Sequence, residues 1–263
     1  KELFYHFGGL GRMVILHMKQ ENNRWMAPQV ASFSGKFRDG EPHFSSDGNK
    51  IVYRSNRPPG GRGEPEKYTD IWIVERTETG WGEPQNPGPP VNSEKNDLYP
   101  TLSRSGDLYF ASDRDGGWDI YYSKNVNGRY TNPEKLSNAI NSEFGDWDAY
   151  LAPDESYIIF GSNGRSDGFG ESDLYISFRK EDGTWTKSKN MGGQINTIYR
   201  EVDPVVSADG KYIFFRSNRR IHKSYSKTPL TYNEIIKILD SPGNGEGDIY
   251  WVDARIVNQL KPK

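Results

Sequence analysis

One phrase recurs four times in the chain, and that recurrence restricts the fold more than any other feature. Its cores are "EPHFSSDGNKIVYRSNR" (Glu41–Arg57), "YPTLSRSGDLYFASDR" (Tyr99–Arg114), "DAYLAPDESYIIFGSNGR" (Asp148–Arg165) and "DPVVSADGKYIFFRSNR" (Asp203–Arg219). Each is followed by "DIWIV", "DIYYS", "DLYIS" or "DIYWV", starting at Asp70, Asp119, Asp173 and Asp248. The first three then continue into a "WGEP"-like stretch and a "VNS", "INS" or "INT" at Asn92, Asn141 and Asn196. A unit that recurs is one that cannot bury its faces alone and must stack on copies of itself.

Each unit reads as four strands. The "S-x-D-G" turn joins two apolar runs, and Gly supplies the positive φ that a tight hairpin needs. A third strand begins at the Asp-Ile-Tyr element. A fourth surrounds the Trp-x-x-Pro element, whose proline belongs at an edge because it lacks an N–H for the ladder. Asp39, Asp97, Asp146 and Glu201 are equivalent, at spacings of 58, 49 and 55 residues. That is close to the roughly 40–50 residues of propeller repeats. Abundant tyrosine, phenylalanine and tryptophan (16, 12 and 7) suit half-buried strands.

The N-terminus fits the same template with one piece missing. "KELFYHF" matches the second strand, "MVILHMK" the third, and "RWMAP" the Trp-x-x-Pro stretch. The expectation is an all-β, five-bladed β-propeller of four-stranded antiparallel blades, the first lacking its innermost strand. The blades fall at roughly 1–38, 39–96, 97–145, 146–200 and 201–263 of one domain. "ARIVNQL", near the C-terminus, is the expected outer strand of blade five.

The phrases "P-x-x-S-x-D-G-K-Y-I-F-F-x-S-N-R" and "D-I-Y" resemble the WD-like, TolB-type propeller repeat of bacterial proteins. The resemblance covers nearly the whole chain. It implies a periplasmic or extracellular location and a role in binding, with glycan-degrading sites known on similar rings. Folds of this class host many activities, so function has to be argued from residues. The departures from the pattern are the missing strand and the absence of "DIY" at Met13–Ile15.

Composition excludes several classes. Net charge is -2, from 34 basic and 36 acidic residues, which gives no field for nucleic acid. No apolar run is long enough to span a membrane. The absence of cysteine removes thiol chemistry and disulfides. No signal peptide is visible, and Lys1 is not an initiator Met, which suggests a processed or trimmed start. His6, His17, His43 and His222 lack metal-ligand spacing, and His6 and His17 read as core or rim residues. There is no "GxSxG" elbow, and "FGGLGR" at Phe7–Arg12 precedes no helix.

In a propeller, the loop entering the first strand and the loop leaving the second open on one face, around the axis. The entering loops carry Asp39 and Glu41, Asp97 and Tyr99, Asp146 and Asp148, Glu201 and Asp203. The leaving loops carry Arg57, Arg114, Arg165 and Arg219. Two uses are open. Acid–Arg pairs can brace the blades, as their recurrence suggests. Unpaired carboxylates among Asp146, Asp148, Glu201 and Asp203 can instead serve as acid and base in glycoside hydrolysis, at separations of roughly 5–9.5 Å, or bind a hard cation.

Features found in one copy only are more telling. Trp147 can stack on a sugar or plug the channel, and Tyr99 stands where other units have an acid. Tyr150, Tyr199 and Arg200 lie nearby in sequence. A long gap in blade five, Arg219–Gly247, includes a helical pattern over Thr231–Leu239 with Ile235, Ile236 and Leu239 on one stripe. Its Arg219, Arg220, His222 and Lys223 suit an anion or a solvated turn. The first gap, "RPPGGRGEPEKYTD", reads as a flexible loop. "SNGRSDGFGESD" (Ser162–Asp173) has acids for calcium without EF-hand spacing. No cofactor is otherwise implied. The leading expectation is a rigid binding module for a glycan, a peptide or a partner protein. A glycan-acting hydrolase or lyase using channel-face carboxylates is the alternative.

Overall fold

The computed structural model describes residues 1–9, 12–221 and 228–262. It is a five-bladed β-propeller of antiparallel sheets. Blade one contains β1 (Glu2–Gly9), β2 (Arg12–Glu21), β3 (Arg24–Trp25) and β4 (Gln29–Val30). Blade two contains β5 (Asp39–Phe44), β6 (Lys50–Ser55), β7 (Asp70–Thr77) and β8 (Gly80–Trp81). Blade three contains β9 (Asp97–Leu102), β10 (Leu108–Ser112) and β11 (Asp119–Ser123), a small hairpin of β12 (Asn125–Val126) and β13 (Arg129–Tyr130), and β14 (Glu134–Lys135). Blade four contains β15 (Asp146–Leu151), β16 (Tyr157–Ser162), β17 (Asp173–Phe178) and β18 (Lys189–Asn190). Blade five contains β19 (Glu201–Val206), β20 (Tyr212–Ser217), the helix α1 (Tyr232–Leu239) and β21 (Asp248–Asp253), followed by α2 (Ile256–Leu260). No helix among the described residues is long and apolar enough to cross a membrane.

The recurring motifs each build a defined part. The Asp-Gly turn closes β5 to β6 with Gly48 at φ 71°, and Ser45 donates to Asp47 inside it. Blade five repeats this with Gly210 at φ 70°. In blade four Glu155 takes the left-handed place, at φ 58°. The asparagine of the "VNS"-like motif acts as a piece of strand. Asn92 accepts from Ile71 N–H and donates to its carbonyl, both at 2.9 Å. Asn141 does the same on Ile120, and Asn196 on Leu174. One side-chain amide thereby satisfies a strand-three residue past the end of the short outer strand.

Four hydrophobic cores hold the ring, one between each successive pair of blades. Phe4, Ile15 and Phe33 meet Ile51, Tyr53 and Trp72 between blades one and two. Val52 and Ile71 meet Leu108 and Phe110 in the next core, and Tyr109 and Ile120 meet Ile158 and Phe160 in the third. Ile159, Leu174 and Ile176 meet Ile213 and Phe215 in the fourth. Among the described residues, no such cluster joins blade five to blade one.

One detail departs from the sequence reading. "ARIVNQL" is not an outer strand. It forms α2, and blade five has three strands in order β19–β20–β21. Ile256 and Val257 are adjacent and both buried in the core between blades four and five. A strand would send them to opposite faces, whereas a helical turn can bury both. Blade one is as expected: β1 takes the second-strand place, pairing with β2 along one edge, and no strand among the described residues pairs with its other edge.

Candidate functional site

The first acid of each inner strand is fully buried and clamps two blades together. Asp97 accepts from Ser93 Oγ of the preceding loop at 2.9 Å and from Arg114 Nη2 at 2.6 Å. Arg114 also donates to Val91 C=O and lies over the Phe110 and Tyr121 rings. The same pattern joins Asp146 to Ser142 and Arg165, and Glu201 to Thr197 and Arg219. Asp39 takes Ser34 and Ser55, with Arg57 at 3.8 Å. Asp39, Asp97, Asp146, Glu201, Arg57, Arg114, Arg165 and Arg219 therefore lie between blades, committed to one another.

The third residue of each inner strand lies elsewhere. A register shift interrupts the inner ladder in every complete blade. At each shift a non-glycine residue is left-handed: Glu41 at φ 56°, Tyr99 at 53°, Asp148 at 54° and Asp203 at 54°. A bulge of this kind re-aims a side chain, here toward the ring axis. Bulky residues seldom adopt positive φ, and four equivalent cases in one chain mark a conformation the ring enforces. Their main chains link around the axis. Tyr99 N–H donates to Glu41 Oε2 at 3.1 Å, and Asp203 N–H to Asp148 Oδ2 at 3.2 Å. Glu41 N–H donates to Nδ1 of His6, on β1, at 3.4 Å. His6 thus fills the acceptor role that an inner strand of blade one would have supplied.

The blades differ at the residue facing this position from strand two. Arg54 Nε donates to Glu41 at 2.6 Å, and Arg216 Nε to Asp203 at 2.7 Å. Blade three has Ala111 there, opposite the strand that bears Tyr99, and blade four has Gly161. Asp148 consequently lacks a guanidinium partner. It is only 4% exposed, and its Oδ1 meets no hydrogen-bond partner among the described residues. Burial, reinforced by the Asp203 and Glu41 carboxylates, holds the Asp148 carboxyl well above the usual carboxylate range. Burial also pushes Glu41 up to about 7, against the pull of Arg54. His6 is pushed down by burial, so its ring is neutral at pH 7, and Tyr99 is raised. The axis thus holds one carboxyl without an arginine, Asp148, beside two that are each bonded to one, Glu41 and Asp203.

Below this layer side chains close the axis. His43 of blade two meets Tyr150 of blade four with ring centroids 5.7 Å apart, and Thr101 Oγ1 lies 3.4 Å from His43 Nδ1. Tyr150 is therefore a buried floor residue. Burial drives His43 down to about 4. Trp147 is half-buried beside Asp148 and lies flat on Gly145 and Gly161. A Cβ at Gly161 would come within 3.2 Å of Trp147 Nε1. To the side, a cavity of about 190 Å³ is lined by Arg200, Val202, Arg216, Asn218 and Gly245–Gly247. Arg200 Nε is buried in it with no partner among the described residues.

The remaining expectations are placed as follows. α1 forms over Tyr232–Leu239 with a Thr231–Glu234 capping box. His222 and Lys223 lie outside the described residues. In the Ser162–Asp173 loop, Asp167 accepts from the Tyr175 hydroxyl and Asp173 from Phe169 N–H. Among the described residues no group of three His, Asp or Glu is arranged to hold a metal. Arg54, Arg216 and His6 were missed as axis residues. The signal was the residue before the serine in "YRSNR", "FASDR", "FGSNG" and "FRSNR", matched by "YHF" in blade one.

No protein-family model matches the chain. No curated protein matches it. Solved structures do. TolB from Acinetobacter baumannii is 18% identical with a TM-score of 0.54, over 86% of this chain and 48% of that one. A putative TolB from Agrobacterium tumefaciens is 16% identical with a TM-score of 0.54, over 96% and 77%. A chain in a nidogen/laminin complex is 11% identical with a TM-score of 0.51, over 82% and 72%. The chain thus spans about half the length of the Acinetobacter protein. At these identities the likeness is one of fold.

Proposed function

We propose that this propeller is a binding module that engages a protein or peptide partner at the mouth of its axis. The observation that carries it is Asp148, a buried carboxyl with one oxygen unpartnered among the described residues, whose burial favours the protonated form. Such a group both donates and accepts, which suits a side-chain or main-chain amide. The cavity beside it offers Arg200 and Arg216 for a carbonyl or carboxylate of the same ligand. The left-handed residues around it are rigidly held, so the site is preorganised and loses little entropy on binding. A nidogen/laminin complex among the similar folds is consistent with protein recognition. A periplasmic or extracellular setting belongs to this proposal, on the strength of the TolB-type repeat.

One observation favours a second use. Burial raises the pKa of Asp148, while its neighbour Asp203 is paired with Arg216. Two carboxyls in such different surroundings match the acid and the carboxylate of a glycoside hydrolase. The test is to pass a peptide library and an oligosaccharide panel over immobilised protein, and to assay the same glycans for cleavage. Wild type retains peptides, and Asp148→Ala and Arg216→Ala each weaken retention about tenfold or more with folding intact. Cleavage of a glycan by wild type that Asp148→Asn abolishes would replace binding with hydrolysis. Retention of glycans alone would reassign the ligand class.

A further inference from the structure

The cross-strand pairs beside the left-handed residues follow a rule. Gly40 pairs with Arg54, and Val202 with Arg216. Each arginine comes from the second strand and bonds the acid one residue beyond its partner, Glu41 or Asp203. Leu98 pairs with Ala111, and there the next residue is Tyr99, which needs no cation. Blade four breaks the rule. Trp147 pairs with Gly161, yet the next residue is an acid, Asp148.

The place that an arginine takes in blades two and five is thus filled by no strand-two side chain over Gly161. A Cβ on Gly161 would stand 3.2 Å from Trp147 Nε1 and 3.5 Å from Asp148 Oδ2, so the indole N–H and the carboxyl border one spot. Neither Trp147 Nε1 nor Asp148 Oδ1 has a hydrogen-bond partner among the described residues, although both atoms are buried. Arg200 acts on Asp148 through its charge, without a hydrogen bond to it. Gly161 shares a face of β16 with Ile159, which packs on blade five. The spot therefore lies in the seam between blades four and five, away from β1.

We propose that a partner peptide fills this place with an arginine side chain, whose guanidinium bonds Asp148 as Arg54 and Arg216 bond their acids. The proposal rests on the reading of the mouth as a peptide site and names the side chain that it takes. Three acids bonded to two arginines leave the layer one cation short, and an opposite charge offsets the burial of Asp148. Trp147 favours a guanidinium over an ammonium. A planar guanidinium can bond a carboxylate and lie against an indole at once, whereas an ammonium is a compact, strongly hydrated charge. The ring already contains that arrangement: Arg165 bonds Asp146 and lies 4.6 Å from the centroid of the Tyr175 ring. No hydrogen bond holds the Trp147 indole over the spot, so it turns outward and stacks on the incoming side chain.

The probe is N-acetylarginine methylamide, titrated into the whole chain at fixed ionic strength while the indole N–H signals are followed by NMR. Trp147→Phe identifies the signal of Trp147. That signal shifts with half-saturation at about 10 mM or below. The citrulline analogue, similar in shape and uncharged, leaves it in place, and the lysine analogue binds at least about threefold more weakly. Asp148→Asn keeps a donor and an acceptor but removes the charge, and it abolishes the shift. Trp147→Val combined with Gly161→Arg copies the blade-five pair and supplies the arginine from within; saturation transfer to the probe is then lost. An unmoved Trp147 signal, or an equal response to citrulline or in Asp148→Asn, overturns the proposal. Peptides retained on the protein without any preference for arginine would leave the peptide reading standing while this one falls. A shift by the probe with no peptide retained would do the reverse. The titration is repeated on the chain with any residues that precede Lys1. The same shift there supports an external ligand, and its loss would assign the place to this chain itself and overturn the proposal.

Discussion

At the scale of single residues, the asymmetry of the axis is what distinguishes this ring from a purely structural repeat. Three inner strands present an acid at the left-handed position, and two of those acids have an arginine. Asp148 faces Gly161 instead, and burial raises its pKa well above the usual carboxylate range. This has a consequence for stability. An unfolded aspartate ionises near 4, whereas folded Asp148 retains its proton well above that. Between the two values the native state binds a proton that the unfolded chain does not, so stability falls as pH rises. Glu41 adds the same sign between 4.5 and about 7, a contribution of roughly 3 kcal/mol at most. Asp148→Asn removes the first contribution without stranding a partner. Its melting temperature therefore matches wild type at pH 4 and exceeds it by at least about 3 °C at pH 8. Glu41→Gln cannot show this gain, because it leaves Arg54 buried without its anion. A scan of melting temperature against pH for wild type and Asp148→Asn decides the matter; parallel curves would mean Asp148 is ionised in the native ring. The acids themselves were legible in the repeat. Their partners were not, because which strand-two residue faces an acid depends on the register across a bulge. The arginines of "SNR" and "SDR" pair with the first acid, and only Arg54 and Arg216 reach the third.

At the scale of elements, the repeat specified most strands because its motifs are local devices. The Asp-Gly turn sets a hairpin, and the buried asparagine ties strand three to the end of its blade. Asn141 is 4% exposed and bonds to both main-chain groups of Ile120 and to Leu136 C=O. Asn141→Ala leaves the Ile120 N–H buried and unpaired, while its C=O keeps the bond from Leu136 N–H, at an expected cost of about 1–3 kcal/mol. Urea unfolding measures it, and a loss under about 1 kcal/mol would show that the amide is dispensable to the blade. The C-terminal element was misread for an identifiable reason. By repeat logic an outer strand was due, yet "RIVNQL" places Ile256 and Val257 side by side, without the alternation a half-buried strand requires. Their burial beneath blades four and five makes the helix the tighter closure of that core.

At the scale of the whole molecule, blades two, three and four are packed on both faces, while among the described residues the outermost two are packed on one. The face of blade four that covers blade five consists of Tyr150, Ile159, Leu174 and Ile176. The equivalent face of blade five carries Val205, Phe214, Ile249 and Trp251, and Ile249 and Trp251 are 69% and 61% exposed. Stability in a stacked repeat is close to a sum of unit and neighbour contributions, so units that lack a neighbour open first. Native-state hydrogen exchange should therefore divide the chain. Amides of β20 and β21 open at free energies at least about 2 kcal/mol below those of β10 and β16. Ile213→Ala, in the core between blades four and five, lowers the opening energy of β21 and leaves β6 unchanged. A single opening energy across β6, β10, β16 and β20 would instead mean that the ring unfolds as one unit. Blade one is subject to the same logic, so amides of β1 also open at free energies below those of β10 and β16.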